Sequence, residues 1–273
     1  MKTPLTTVSV NHHSTVNVLQ ITDPHLFADK TRDLLGIVTW DSFTSVINAA
    51  IGKVYDFVVI TGDISQDYSV ESYQHCAEAL SVFDCPVFLL PGNHDELSML
   101  ERHVVADNFY HQARVQAGNW QLHMLNSTSG TRPGGEFCQQ RLEMIEQRLQ
   151  SGQDHHQMLL MHHNPVLSGS HWLDQHCLKD GPQFLERLSG YPQVKAILWG
   201  HIHQAFDQIQ NGIRLLASPS TCVQFLPNSH DFALDTLQPG YRLLQLHTDG
   251  SIDTQVHRLE GARFIPDSAA QGY

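Results

Sequence analysis

Asn93, His94 and Asp95 follow Leu89-Leu90-Pro91-Gly92 directly, so an apolar run ends in an amide, an imidazole and a carboxylate. Asn93 offers a neutral oxygen and His94 a nitrogen that holds or releases a proton near neutral pH. One such turn carries groups suited both to a metal and to a leaving group. Alone, Gly92-Asn93 also suits an ordinary turn, because both residues tolerate positive φ. Four other places repeat the arrangement: Val16 to Thr22 runs into Asp23-Pro24-His25, Phe57 to Thr61 into Gly62-Asp63, Met158 to Met161 into His162-His163, and Val194 to Trp199 into Gly200-His201-Ile202-His203. In open α/β sheets ligands bind at the carboxyl ends of the strands, so ligand types gathered at consecutive strand ends imply one shared site.

The ligand candidates are Asp23, His25, Asp63, Asn93, His162, His201 and His203: two carboxylates, one amide and four imidazoles, too many for one ion. Two ions roughly 3.5–4 Å apart would use them all if Asp63 bridged, and such a pair can hold a hydroxide nucleophile while neutralising a phosphoryl oxygen. A mixed N/O set with a neutral amide suits iron, manganese or zinc in an open catalytic site, whereas a closed structural zinc site prefers thiolates. Neighbours along a strand point to opposite sides, so only one of His162 and His163 is expected to reach the metals.

The elements that must position these residues are visible as periodicity. Phe43, Val46, Ile47, Ala50 and Ile51 recur at helical spacing, with Asp41 placed to start the helix. Pro24 predicts extended geometry for Asp23. Tyr73, Cys76, Ala77 and Leu80 mark a second helix, which makes a β-α-β-α-β pattern and hence a parallel sheet covered by helices. A third helix is predicted over 96–105. Trp120, Leu122 and Met124 alternate with Gln121 and His123 as in a half-buried strand, which places His123 on a solvated face. Leu142, Ile145 and Leu149 predict a helix ending near Ser151-Gly152, and Ser168 to Cys177 reads as a loop. Asp180, with Gln183 three residues later, predicts a capped helix start. Asn211-Gly212 and Asp249-Gly250 sit between alternating runs and predict two hairpins, so the last quarter reads as antiparallel sheet. Parallel pairs first and hairpins later suggest two sheets packed face to face with helices outside.

The 273 residues fit one α/β domain spanning 1–273. Lys and Arg total 16 against 28 Asp and Glu, a net charge of −12 that argues against nucleic acid or a basic membrane-binding surface as partner. A small phosphate ester stays compatible, because metal ions supply local positive charge. Cys76, Cys85, Cys138, Cys177 and Cys222 form no C-x-x-C spacing and read as reduced structural thiols. With no leader-like start and no long apolar run, the expected location is the cytoplasm. His12, His13, His155, His156 and His230 lie in polar stretches and are expected at the surface.

In their order, Asp-x-His, Gly-Asp, Gly-Asn-His-Asp, the apolar-His-His element and Gly-His-x-His resemble the calcineurin-like metallophosphoesterase superfamily. Leu19 to Phe27, Trp172 to His176, Leu215 to Phe225 and the tail through Gly272-Tyr273 are similar to the bacterial class III 3′,5′-cyclic-AMP phosphodiesterases, over nearly the whole chain. The resemblance implies a four-layer α/β/β/α sandwich of two mixed sheets. It also implies two metal ions, iron or manganese first and zinc next, and hydrolysis of cyclic AMP to 5′-AMP by a metal-bridging hydroxide, which would lower cyclic AMP signalling. By similarity Asp23, His25, Asp63 and His203 hold one ion, and Asp63, Asn93, His162 and His201 the other, which selects His162 over His163. His94 is implied as the catalytic residue at the departing 3′ oxygen, and His25, Asp63, Asn93, His94 and His203 as the substrate-binding set. Two positions depart from the pattern. Asn126 stands where the family usually has aspartate, and Asn164, at the expected pocket rim, stands where many members have His or Pro. A broader phosphodiesterase or phosphomonoesterase is the competing enzyme reading, since the metal core selects no base. A non-catalytic scaffold on the same fold would be expected to have lost ligands.

Overall fold

The computed structural model describes residues 6–8, 15–111, 114–130 and 132–272, so His12 and His13 lie outside the described residues. The chain opens with β1 (Thr6–Val8), β2 (Val16–Ile21), the short pair β3 (Asp33–Leu34) and β4 (Ile37–Val38), and α1 (Thr39–Ala50). There follow β5 (Phe57–Thr61), α2 (Val70–Leu80), β6 (Val87–Leu90), α3 (Leu97–His103), β7 (Phe109–Tyr110), β8 (Arg114–Ala117) and β9 (Trp120–Met124). Next come α4 (Gln139–Ser151), β10 (His156–Leu160), α5 (His171–Asp174), α6 (Gly181–Leu188), β11 (Val194–Trp199), β12 (Phe206–Gln210) and β13 (Ile213–Ala217). The chain closes with β14 (Gln224–Phe225), β15 (Leu234–Asp235), β16 (Gly240–Leu246) and β17 (Ile252–Arg258).

One sheet has the strand order β1-β8-β9-β10-β11-β13-β12 and the other β17-β16-β2-β5-β6-β7. Both are mixed. The runs β9-β10-β11-β13 and β2-β5-β6-β7 are parallel, and the antiparallel partners lie toward the edges. Alternation along each strand then divides the apolar residues between two faces. Val18, Val59, Phe88, Leu122, Leu160 and Leu198 meet between the sheets. Leu19, Ile60 and Leu89 turn outward onto Phe43 and Ile47 of α1, Tyr73 of α2 and Leu100 of α3. Leu159 and Ile197 turn outward from the other sheet onto Ile145 and Leu149 of α4 and Phe184 of α6. The result is four layers, α/β/β/α, around three apolar seams. Each fully buried Leu, Ile or Phe in them contributes about 1.5–3 kcal/mol.

The two sequence-marked hairpins form, but they do not make a sheet of their own. Asn211-Gly212 joins β12 to β13, which extends the first sheet, while Asp249-Gly250 joins β16 to β17, and β16 pairs with β2 of the second. Local turn chemistry sets a hairpin; the packing of its flanking strands decides which sheet receives it.

Other expectations change in detail. α1 begins at Thr39, two residues before Asp41, which sits in its first turn. The 168–177 stretch contains the short helix α5. Asp180 does precede α6 but caps nothing with its side chain, because its Oδ1 accepts from the Phe137 amide at 3.1 Å. β9 is buried along its whole length, His123 included, because α4 covers the face that alternation leaves polar.

Candidate metal centre

The parallel strands β2, β5, β6, β10 and β11 deliver their carboxyl ends to one edge of the sandwich. The two sheets meet there directly: His162 Nδ1, beyond β10, lies 2.8 Å from the Thr61 carbonyl at the end of β5. Asp23, His25, Asp63, His201 and His203 all take positive φ, between 47° and 65°. Asp23 therefore departs from the extended geometry that Pro24 predicts. Left-handed backbone costs on the order of 1–3 kcal/mol per non-glycine residue and persists only where surroundings hold it. Here cross-strand bonds do so: Asp23 N donates to Gly62 O at 3.1 Å, His25 N to Asp63 O at 3.0 Å, and Ser220 Oγ to Asp23 O at 2.7 Å. Each sharp turn at a strand end keeps the next side chain over the sheet edge.

Two glycines make room for this convergence. A Cβ on Gly62, at φ +96°, would lie 2.6 Å from both His162 Nδ1 and the Gly92 amide nitrogen. A Cβ on Gly200 would strike Thr22 Oγ1 and come 2.6 Å from Asp23 Oδ2.

The donor atoms fall into two overlapping sets. His25 Nε2 lies 3.2 Å from His203 Nε2 and 3.7 Å from Asp63 Oδ2, and His203 Nε2 lies 3.5 Å from Asp23 Oδ1. His162 Nε2 lies 3.2 Å from the same Asp63 Oδ2 and 3.1 Å from Asn93 Oδ1. His201 packs edge-on against His162, and its buried Nε2 has no hydrogen-bond partner. The tautomers are set from behind. His25 Nδ1 meets Gln66 Oε1 at 2.7 Å, His203 Nδ1 meets the Val223 carbonyl at 2.9 Å, and His162 Nδ1 meets Thr61 O. Since those oxygens only accept, each Nδ1 carries a proton, and Nε2 is the nitrogen turned inward.

The donors fit bound cations. Lone pairs such as those of His25 and His203 repel one another at their observed separation unless a positive charge lies between them. Two donors each about 2.0–2.2 Å from one ion stand at separations of this order. The orphaned Nε2 of His201 calls for the same partner, and Asp63 Oδ2 belongs to both sets. The cluster is a dinuclear metal site.

The electrostatics agree with a site that concentrates charge. Burial opposes ionisation of Asp63, but the imidazoles of His162, His94 and His25 outweigh it and hold the carboxyl well below its usual range. Burial likewise opposes Asp23, and His203 and His162 bring it down. For His162, burial is overcome by Asp63 and Asp23, which lift it to about 9. Burial pushes His25 down to about 3 despite Asp63, and drives His201 well below the ordinary imidazole range. Metal ligands must lose their protons on binding, so the metal competes with a proton at His162 and with none at His25.

His94 is half-buried at the rim of this cluster. Its amide donates to Asp63 Oδ1 at 2.8 Å and its ring stands edge-on to His25, centroids 5.2 Å apart. His162 and His163 do not point to opposite sides as strand alternation predicts, because β10 has ended before them; His163 stays beside the cluster. Its ring packs 4.8 Å from His201, but Nδ1 meets Ser127 Oγ at 2.8 Å and Nε2 meets Pro133 O at 3.1 Å, so both nitrogens are engaged outside the cluster. Asn164 is fully buried, with Nδ2 on Val166 O, and is no rim residue. Asn126 closes a local turn through Thr128.

Two supporting groups carry no sequence signal of their own. Gln66 is one polar loop residue among many until the fold brings it to His25. Asp95 belongs to the Gly-Asn-His-Asp turn, yet its role appears only in the structure: its carboxylate accepts from the Gly92, Ile64 and Ser65 amides at 2.9–3.1 Å and ties the Asp63 and Asn93 turns together. Burial and the nearby Asp63 raise it to about 7 despite those donors.

Two mixed sheets between helical layers, with a dinuclear site at their carboxyl edge, define a metallophosphoesterase. The calcineurin-like phosphoesterase family model matches residues 16–205, and the chain belongs to that family. It is 43% identical over 272 residues to the 3′,5′-cyclic adenosine monophosphate phosphodiesterase CpdA of Escherichia coli K12, covering 98% of this chain and 99% of that protein. It is 42% identical to the protein of the same name from Vibrio vulnificus, covering 95% of this chain and 96% of that one. Among solved structures, a dimetal phosphatase from Danio rerio superposes with a TM-score of 0.62 at 13% identity, over 90% of this chain and 99% of that one, and so shares the fold.

Proposed function

We propose that this protein hydrolyses 3′,5′-cyclic AMP to 5′-AMP and so removes the cyclic nucleotide as a signal. The observation that carries the reading is the shared Asp63 Oδ2 between two donor sets at one strand edge, in a chain similar over 98% of its length to a cyclic AMP phosphodiesterase. Asp23, His25, Asp63 and His203 would hold one ion, and Asp63, Asn93, His162 and His201 the other. When bound, such a pair supplies a nucleophile at neutral pH and neutralises phosphoryl charge. Iron or manganese suits these nitrogen and oxygen donors best, with zinc the next choice.

The chain's own residues do the rest. Asp63 carries a full negative charge in a dry pocket, held by three imidazoles, and its Oδ1 fixes the His94 backbone. His94, against His25 and half open to solvent, is placed to donate a proton to the departing 3′ oxygen while remaining outside the ligand sets. His25, Asp63, Asn93, His94 and His203 would face the substrate. We treat residues 1–273 as one domain, a reading supported by β16, which pairs with β2 from near the other end of the chain. A cytoplasmic location is supported by the five free thiols.

Turnover of cyclic AMP, cyclic GMP and p-nitrophenyl phosphate esters, compared side by side, tests the proposal. Cyclic AMP should give the highest kcat/KM, with 5′-AMP as product. Faster cleavage of the p-nitrophenyl monoester than of cyclic AMP would replace this reading with a general phosphomonoesterase.

A further inference from the structure

Among the described residues the space between the sheets is largely apolar, and a polar seam lies within it just beneath the metal-binding turns. Gln20, the inward-facing residue nearest the end of β2, is fully buried there. Its Nε2 donates to Thr61 Oγ1 at 2.9 Å, in the neighbouring strand, and to the Trp199 carbonyl at 3.0 Å, in the opposite sheet. Its Oε1 accepts from Ser218 Oγ, also from the opposite sheet. One amide therefore joins four chain segments.

The direction of the amide is itself determined. Arg242, buried and bound to no carboxylate among the described residues, donates from Nε to Ser218 Oγ at 3.2 Å and from its other nitrogens to the Phe206 and Ala217 carbonyls and Thr254 Oγ1. The Trp199 carbonyl only accepts, so the Gln20 NH2 must face it and Thr61; Oε1 is then left to accept the Ser218 proton, while Ser218 Oγ accepts from Arg242. Each partner adjoins a ligand turn. Thr61 precedes Gly62-Asp63 and offers its carbonyl to His162; Trp199 precedes Gly200-His201; Ser218 lies two residues before Ser220, whose hydroxyl holds the Asp23 carbonyl.

We infer that Gln20 is a positioning residue that sets the spacing between the two sheets at the metal edge, and with it the separation of the ligands that Asp23 and Asp63 contribute from one sheet and His162 and His201 from the other. It touches no donor atom of either set and acts through Thr61, Trp199 and Ser218. The inference rests on the dinuclear reading above. An apolar residue of the same length would fill the space but remove the partner that Thr61 Oγ1, the Trp199 carbonyl and the Ser218 hydroxyl proton find in Gln20, so the sheets would be free to shift.

The test uses the whole 273-residue chain, as purified and after manganese loading, in the variants Gln20→Met, Ser218→Ala and Gln157→Met. Gln157 is an equally buried glutamine on β10, bound to the Leu149 carbonyl and remote from the ligand turns, and its variant controls for stability alone. Gln20→Met should weaken Mn²⁺ binding about 10- to 100-fold, as loss of an outer supporting group does, and lower kcat with little change in KM. Amide exchange should rise at residues 61–65 and 199–204 together. Gln157→Met should show neither. Matching manganese affinities and exchange patterns in the two glutamine variants would overturn the inference. Should Gln20→Met fail to fold, Ser218→Ala decides it: the same changes in smaller measure support the inference, and none contradicts it. Fewer than two manganese ions in the unaltered protein would count against the dinuclear reading, while the exchange comparison would still decide the role of Gln20.

Discussion

Buried histidines occur in two regions of this protein, and they behave in opposite ways. At the strand ends, His25, His162 and His203 each donate backward through Nδ1 and turn Nε2 toward carboxylates within 4 Å. Under α4, His123 is as deeply buried, yet neither ring nitrogen makes a well-formed hydrogen bond, and burial together with Arg114 and Arg148 pushes it down to about 3 despite the nearby Gln157 side chain. Residue type and burial are shared. What separates a site from a neutral core imidazole is the convergence of lone pairs whose direction other groups enforce.

The largest effect is expected at the shared atom. Asp63→Ala removes a donor from both sets, and turnover should fall below detection under assay conditions that follow the unaltered enzyme over several decades. Activity within tenfold of the unaltered protein would remove Asp63 from the centre of the account. His94→Ala comes next: the rate on cyclic AMP should drop about 10²- to 10⁴-fold, the range for losing a general acid, while an ester with a p-nitrophenolate leaving group loses much less. Equal losses on both esters, with metal retained, would show that His94 binds or stabilises charge without protonating the leaving oxygen. Gln66→Ala frees the His25 ring without touching a donor, and should weaken metal binding or activity about 10- to 100-fold. No change in metal titration would mean that the backbone alone orients His25.

The smallest effect on catalysis, and the sharpest contrast, belongs to His123. An unfolded histidine takes up a proton below about 6.5, whereas folded His123 does so only near about 3, so acid favours the unfolded chain across that interval. His123→Leu should leave kcat/KM unchanged at pH 7. Between pH 7 and pH 4.5 its stability should improve by about 2 kcal/mol relative to that of the unaltered protein, read from urea unfolding of both chains at both pH values. A stability difference that stays the same at the two pH values would show that His123 does not remain neutral in the folded state.

How much of this was legible in the sequence varied with the distance over which the cause acts. Phe57 to Thr61 and Val194 to Trp199 form strands with the bounds their apolar runs mark, and the ligand types after them meet at one edge because parallel strands share a direction. The helical faces of α1 and α4 followed from the spacing of Phe43, Val46 and Ile47 and of Leu142, Ile145 and Leu149. Causes that cross between elements left no such trace. Pro24 argues locally for extended backbone at Asp23, and the bonds from Gly62 and Ser220 impose a left-handed turn instead. Alternation assigned His123 to solvent because nothing in its own segment announces that α4 lies over it. It predicted that His162 and His163 point to opposite sides because it assumed a strand beyond the residue where β10 ends, whereas both rings lie beside His201. Asp95, Gln66 and Gln20 look like ordinary polar residues until the fold places three amides, an imidazole and a second sheet beside them.

Metal counting tests the central claim, that one carboxylate oxygen serves two ions, most directly. After loading with manganese and removal of excess, the unaltered chain should carry two ions, Asn93→Ala should lose chiefly the ion it shares with His162, and Asp63→Ala should lose both. Equal loss in the two variants, or a single ion in the unaltered chain, would contradict the account.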